Sequence, residues 1–237
     1  MRVAALILTL LLAALPAAAD DVLSQDGFIV VRSDYTQLSQ DMKADLAARA
    51  ARELSALEGF FGSTAARPII VDLADRYPFS IAYRHLNLIG FPRHIIEQNM
   101  AVTAHEIKHL ILPHGHSAAL REGIAIYAQD RFGEITGFPN FGSDVHVEAA
   151  LRLARPGAQL NSFKDAEAYL RRPGAVNQRI RRDAYIIGGS FTRFLIEDLF
   201  EGNVPAFLTL YEDGDYQRHT GRPLDAIERV WRDRIAE

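Results

Sequence analysis

Residues 105–109 read His-Glu-Ile-Lys-His within an otherwise apolar stretch that includes Met100, Ala101, Ala104, Ile107, Leu110, Ile111 and Leu112. This juxtaposition constrains the fold more than any other feature of the chain. Apolar residues on most sides of a helix place that helix in the interior, and Lys108 is the one residue read as facing outward. Two imidazoles and a carboxylate buried there need partners, because an uncompensated buried polar group costs roughly 2 kcal/mol or more. Four residues apart on a helix, His105 and His109 return to nearly the same face. One metal ion would satisfy both rings.

The spacing is the H-E-x-x-H pattern of zinc hydrolases. It sets Glu106 beside the metal rather than on it, free to take a proton from water as a general base. Hydrolytic zinc usually has three protein ligands and one open position, so a third ligand is sought downstream. The H-E-x-x-H-x-x-G-x-x-H arrangement fails here, since its Gly and third His positions hold Leu112 and Gly115. His114 and His116 straddle that place and follow Pro113, which stops the helix; they read as loop histidines. The other candidate is Glu122. Pro113 and Gly115 supply a turn and Ser117 an N-cap, so a second helix can fold back and bring Glu122 toward the histidines. Gly123 leaves room for close packing. Among Ala118, Ala119, Leu120, Ile124 and Ala125, this Glu requires coordination or an ion pair, with Arg121 or another arginine as the competing partner.

His105–His109 followed by Glu122-Gly-Ile-Ala-Ile-Tyr127 resembles the gluzincins, in particular the peptidase MA-like group. The resemblance implies an α+β, zincin-like fold: a small N-terminal sheet, an active-site helix and a mainly helical C-terminal lobe. It implies one zinc ion held by His105, His109 and Glu122, water activated by Glu106, and a peptide or protein substrate. It extends more weakly over Ala184–Phe200. Gluzincins commonly place a Tyr or His opposite the metal to hold the oxyanion, which makes Tyr185 the candidate donor and His219 a second one; a packed core tyrosine is the plain alternative for Tyr185. The segment Ile81–Ile89 is expected to offer a sheet edge along which substrate can lie. Two rival readings keep the metal: a non-catalytic zinc-containing envelope protein, whose closed site would recruit a fourth ligand such as His114 or His116, and a hydrolase of a non-peptide cell-envelope amide.

Residues 1–19 combine Arg2, an apolar run and a small-residue end, the pattern of a secretory signal peptide cut before Asp20. Export to a bacterial periplasm is expected, with secretion as the alternative. No later segment is apolar enough to span a bilayer, so no stable membrane insertion is expected after cleavage. Residues 20–237 are expected to form one domain, with a mixed α/β lobe over about 20–116 and a helical lobe over about 117–237. The absence of cysteine removes thiolates and disulfides, leaving nitrogen and oxygen donors for a metal. A formal net charge of −4, one unit more negative without Arg2, gives no basic footprint for nucleic acid. Arg171, Arg172, Arg179, Arg181 and Arg182 read as a solvated loop, with a patch for an anionic substrate or cell-envelope polymer as the alternative.

Phe28–Val31 and Pro68–Leu73 read as strands, and Tyr77–Pro92 as strand and loop. A long helix is expected from Leu38 to Phe61, stopped by Gly62. Its inner face carries Met42, Leu46, Ala50, Leu54, Leu57 and Phe61, opposite Asp41, Lys43, Asp45, Arg49 and Arg52. Further helices are expected over about 145–154, 164–171, 183–200, 203–212 and 223–236, the last with a Leu224, Ile227, Trp231 and Ile235 stripe.

Overall fold

A computed structural model describes residues 21–35, 38–174 and 177–237; the leader expected at 1–19 lies outside them. Five strands, β1 (Val22–Leu23), β2 (Ile29–Ser33), β3 (Ile69–Leu73), β4 (Ile81–Tyr83) and β5 (Leu88–Phe91), form one sheet in the order β1-β2-β3-β5-β4. β2, β3 and β5 are parallel, and the outer strands β1 and β4 pair antiparallel to their neighbours. The alternating residues Ile29 and Val31, and Ile69, Val71 and Leu73, are all buried, as a pleated sheet with a packed face requires.

Parallel neighbours need a crossover, which for β2 and β3 is α1 (Gln40–Phe61). Ser39 caps its start by accepting from Met42 N, and Gly62, in the left-handed region at φ 64°, ends it by donating to Glu58 O. The buried face of α1 runs through Lys43, Leu46, Ala47, Ala50, Leu54, Leu57 and Phe61. This corrects two sequence expectations: Met42 is 45% exposed and Lys43 is buried. Steps of three and four backward from Leu54 pass through Ala50, Ala47 and Lys43, so Met42 falls off the stripe while the long lysine stem lies along it.

From β5 the chain passes through α2 (Arg93–Glu97) into α3 (Thr103–Ile111), turns, and continues as α4 (Ala118–Phe132). Lys108 on α3 is fully buried, not outward-facing. The returning α4 covers that side of the helix: Lys108 Nζ donates to the Arg121 carbonyl at 2.5 Å and lies 5.6 Å from the centre of the Tyr211 ring.

The remainder is helical: α5 (Val145–Leu153), α6 (Phe163–Leu170), α7 (Gln178–Phe194) running into a π-helical turn at Leu195–Leu199, α8 (Val204–Asp213), α9 (Tyr216–Thr220) and α10 (Leu224–Ile235). α4 and α7 approach closely because they meet at glycines. A Cβ on Gly123 would run into Thr192 Oγ1 and the Gly188 carbonyl, and one on Gly188 would come within 2.7 Å of Ala119 O. α7 begins at Gln178 rather than near 183, since Asn177 caps it by accepting from Arg179 N and Ile180 N. Arg179, Arg181 and Arg182 therefore belong to a helix, and the solvated-loop reading is corrected for them. Buried apolar residues from Ile29 through Trp231 form one continuous core across sheet and helices, giving the expected mixed α+β architecture. Among the described residues, no helix is long and apolar enough to cross a membrane.

Candidate metal centre

α3 carries three of the candidate residues and is held at both ends. Thr103 Oγ1 donates to Glu53 on α1, and Glu53 also accepts from Glu134 N at 3.0 Å, tying the start of α3 to the loop after α4. Gln129 Oε1 accepts from His105 N at 3.1 Å, and the Lys108 bond to Arg121 O fixes the register between α3 and α4. α4 in turn is capped twice. Ser117 Oγ accepts from Leu120 N, and Glu167 on α6 accepts from Ser117 Oγ, Ala118 N and Ala119 N.

These restraints bring His105, His109 and Glu122 together. One donor atom from each lies within 4.8 Å of the other two. Glu122 Oε2 is 3.7 Å from His105 Nε2 and 3.5 Å from His109 Nε2, and the imidazole centroids are 5.1 Å apart. Donors bound at 2.0–2.1 Å to one tetrahedral ion lie about 3.4 Å from one another, so the spacing fits a small divalent cation. Protonation fits as well. Burial, reinforced by the neighbouring Lys108 charge, pushes His109 down to about 3, leaving a neutral imidazole. Burial disfavours the Glu122 carboxylate, but the two imidazoles outweigh it and hold the group well below the usual carboxylate range. The donor set is two nitrogens and one anionic oxygen.

For Glu122 the sequence allows coordination or an Arg121 ion pair, and the two oxygens of the carboxylate leave room for both. Arg121 Nε donates to Oε1 at 3.1 Å while Oε2 faces the histidines. Among the described residues, the clustered group has three members, and His114 and His116 are not in it. His114 is an exposed loop residue that lines the adjoining groove. His116 is exposed, with its main chain bound to Tyr211 O and to Arg171.

Glu106 is buried yet lines both cavities that meet at the metal group. Burial, together with the nearby Glu122 charge, lifts its carboxyl to about 7, against the pull of the Lys108 and Arg181 charges. A carboxyl that titrates near neutrality is suited to taking and returning a proton. The first cavity, about 290 Å³, is mainly apolar; the second is a groove of about 760 Å³ that includes Ile81, Ala82 and Tyr83 of edge strand β4. Among the described residues β4 pairs with β5 alone and lines the groove with the metal group; of the Ile81–Ile89 segment expected to offer an edge, β4 does so, whereas β5 is paired on both sides.

Tyr185 on α7 lines the apolar cavity with Glu106. Its Oη accepts from Arg181 at 3.0 Å, and burial, together with the Glu122 charge, pushes its ionisation upward, keeping it protonated. His219 is not brought to the site; it sits on α9 against Asp213 at 2.7 Å and lines neither cavity. Lys108 and Arg181 stand beside the metal group, where the sequence does not place them. Only the fold of α4 and α7 against α3 places them there.

The chain matches no protein-family model and no curated protein. The described residues hold a buried His-His-Glu group able to bind a metal ion. The functional reading therefore rests on this geometry.

Proposed function

We propose that the protein is an exported zinc-dependent metallopeptidase of the gluzincin type, with His105, His109 and Glu122 as the zinc ligands. The observation that carries this reading is Glu106: a buried carboxyl, adjacent to a three-donor metal group, that opens onto both adjoining cavities. Structural metal sites usually close with four protein ligands and need no base. Zinc in a three-donor site supplies Lewis acidity and makes water a nucleophile at neutral pH.

Glu106 takes a proton from the attacking water and returns it to the leaving amine. Tyr185 donates its phenolic proton toward the oxyanion; because Arg181 already donates to the Tyr185 oxygen, that oxygen acts as acceptor there and its own proton is available. Arg121 restrains the outer oxygen of Glu122 so that the other stays aimed between the imidazoles. The free edge of β4 supplies backbone donors and acceptors to an extended peptide. Export rests on residues 1–19 as a cleaved signal.

Glu106→Gln tests the reading. The variant is expected to keep the wild-type zinc content while peptide turnover falls by about a thousandfold or more. Hydrolysis of a peptide library at the wild-type rate by the purified variant would remove Glu106 from the mechanism.

A further inference from the structure

Arg181 is the one cation among the described residues that lines both the apolar cavity and the groove. Its guanidinium lies 5.4 Å from the centre of the Phe79 ring and 5.3 Å from that of Tyr185, and it donates to Tyr185 Oη at 3.0 Å. A guanidinium carries five N–H donors. Among the described residues, no carboxylate forms an ion pair with Arg181, although its charge bears on both Glu106 and Glu122. The groove is rich in cations at Arg84, Arg121 and Arg181, and among the described residues its lining carboxylates are Glu106 and Glu122. Glu122 is engaged by the imidazoles and Arg121, and Glu106 is the base. Arg181, half-buried, lies against two rings and spends a donor on Tyr185, and the planar fork of a guanidinium suits bidentate capture of a carboxylate.

The neighbouring cavity adds a second specification. Its walls include Ile95, Met100, Val102 and Phe138, and its volume of about 290 Å³ accommodates one large apolar side chain next to Glu106. We propose that Arg181 is the receptor for a substrate carboxylate, held next to an apolar substrate side chain that fills this cavity. The proposal rests on the peptidase reading for the nature of the ligand, a peptide. The carboxylate comes either from the chain end, which would make the protein a carboxypeptidase, or from an Asp or Glu side chain beside the apolar residue.

Binding separates this proposal from catalysis. Glu106→Gln protein, prepared with zinc, is titrated calorimetrically with three peptides of common sequence: one ending in a free-carboxylate Phe, one amidated after that Phe, and one amidated with Glu next to the Phe. A carboxylate-bearing peptide is expected to bind about tenfold tighter than the neutral amide, and Arg181→Gln in the same background should bring that ratio to about one. Preference for the free-acid peptide identifies the chain end; preference for the Glu peptide identifies the side chain. Equal binding of all three, absence of binding by any, or a preference that persists in Arg181→Gln overturns the proposal. Should Arg181→Gln fail to fold, Arg181→Lys retains the charge without the planar fork and is expected to lower the ratio; an unchanged ratio is again contrary. If carboxylate preference appears while the wild-type protein cleaves no peptide, the peptidase reading fails and the carboxylate site remains. Cleavage of all three peptides with equal KM reverses that outcome.

Discussion

At the scale of single residues, burial and the contacts between neighbours together set the protonation of the site's side chains. His109 is neutral and Glu122 ionised, both ready to bind a cation without first losing a proton. Lys108 contributes through its hydrogen bond; burial drives its ammonium down to about 7, and its donor holds the Arg121 carbonyl. Tyr185 is the residue whose role depends most on one contact, the Arg181 bond that occupies its oxygen as an acceptor. Tyr185→Phe keeps the ring packed at 5.6 Å from Phe138 and removes only the hydroxyl. The variant should lose about ten- to a hundredfold in kcat with KM nearly unchanged, as measured by steady-state peptide hydrolysis. A kcat equal to wild type would mean that the oxyanion is held by another group.

At the scale of elements, the metal centre depends on how α4 is held between α3 and α7. Gly123 lies next to Glu122 and packs closely against Thr192 and Gly188 across the helix interface, so the position of the Glu122 carboxylate follows from close glycine packing. Gly123→Ala forces the helices apart and should cost about 3 kcal/mol in denaturant unfolding, with a parallel loss of metal affinity. A variant as stable as wild type would show that this interface is loose. The start of α4 is fixed by Glu167 on α6. Burial works against its charge, yet hydrogen bonds from Ala119 N, Ser117 Oγ, Arg171 and Ala118 N hold the carboxyl below its usual pKa. A depressed carboxyl contributes stability that is fully present above its unfolded pKa and is lost as pH falls through the lower folded value. Glu167→Gln should therefore be less stable than wild type by about 1–2 kcal/mol at pH 7, with the gap closing as pH falls through that lower folded value. Urea melts across this range check it; a gap that does not change with pH would contradict the capping role.

At the scale of the whole molecule, what the sequence revealed depended on distance along the chain. His105, Glu106 and His109 lie within one helical turn and a fraction, so their shared placement followed from helix geometry alone. Glu122 was accessible because the intervening turn carried Pro113, Gly115 and a Ser117 cap. Lys108 looks outward-facing in its own helix because its surroundings are set by α4 and Tyr211, far along the chain. Arg181 reads as loop in the sequence because a single Asn177 cap, amid Gly174 and several arginines, carries no periodic pattern to mark the start of α7. The sheet and the long α1 were legible from β-branched runs and three-four spacing, although the exact face of α1 was displaced toward Lys43.

These elements converge on one claim: α3 and α4, fixed to each other and to α1, α6 and α7, form a three-donor metal site from His105, His109 and Glu122. Elemental analysis of dialysed wild-type and Glu122→Gln protein tests it most directly. About one zinc ion per wild-type chain is expected, with a large loss of bound metal in a variant that remains folded. A folded wild-type protein that retains no metal when zinc is supplied, or a Glu122→Gln variant that retains the wild-type amount, would contradict it.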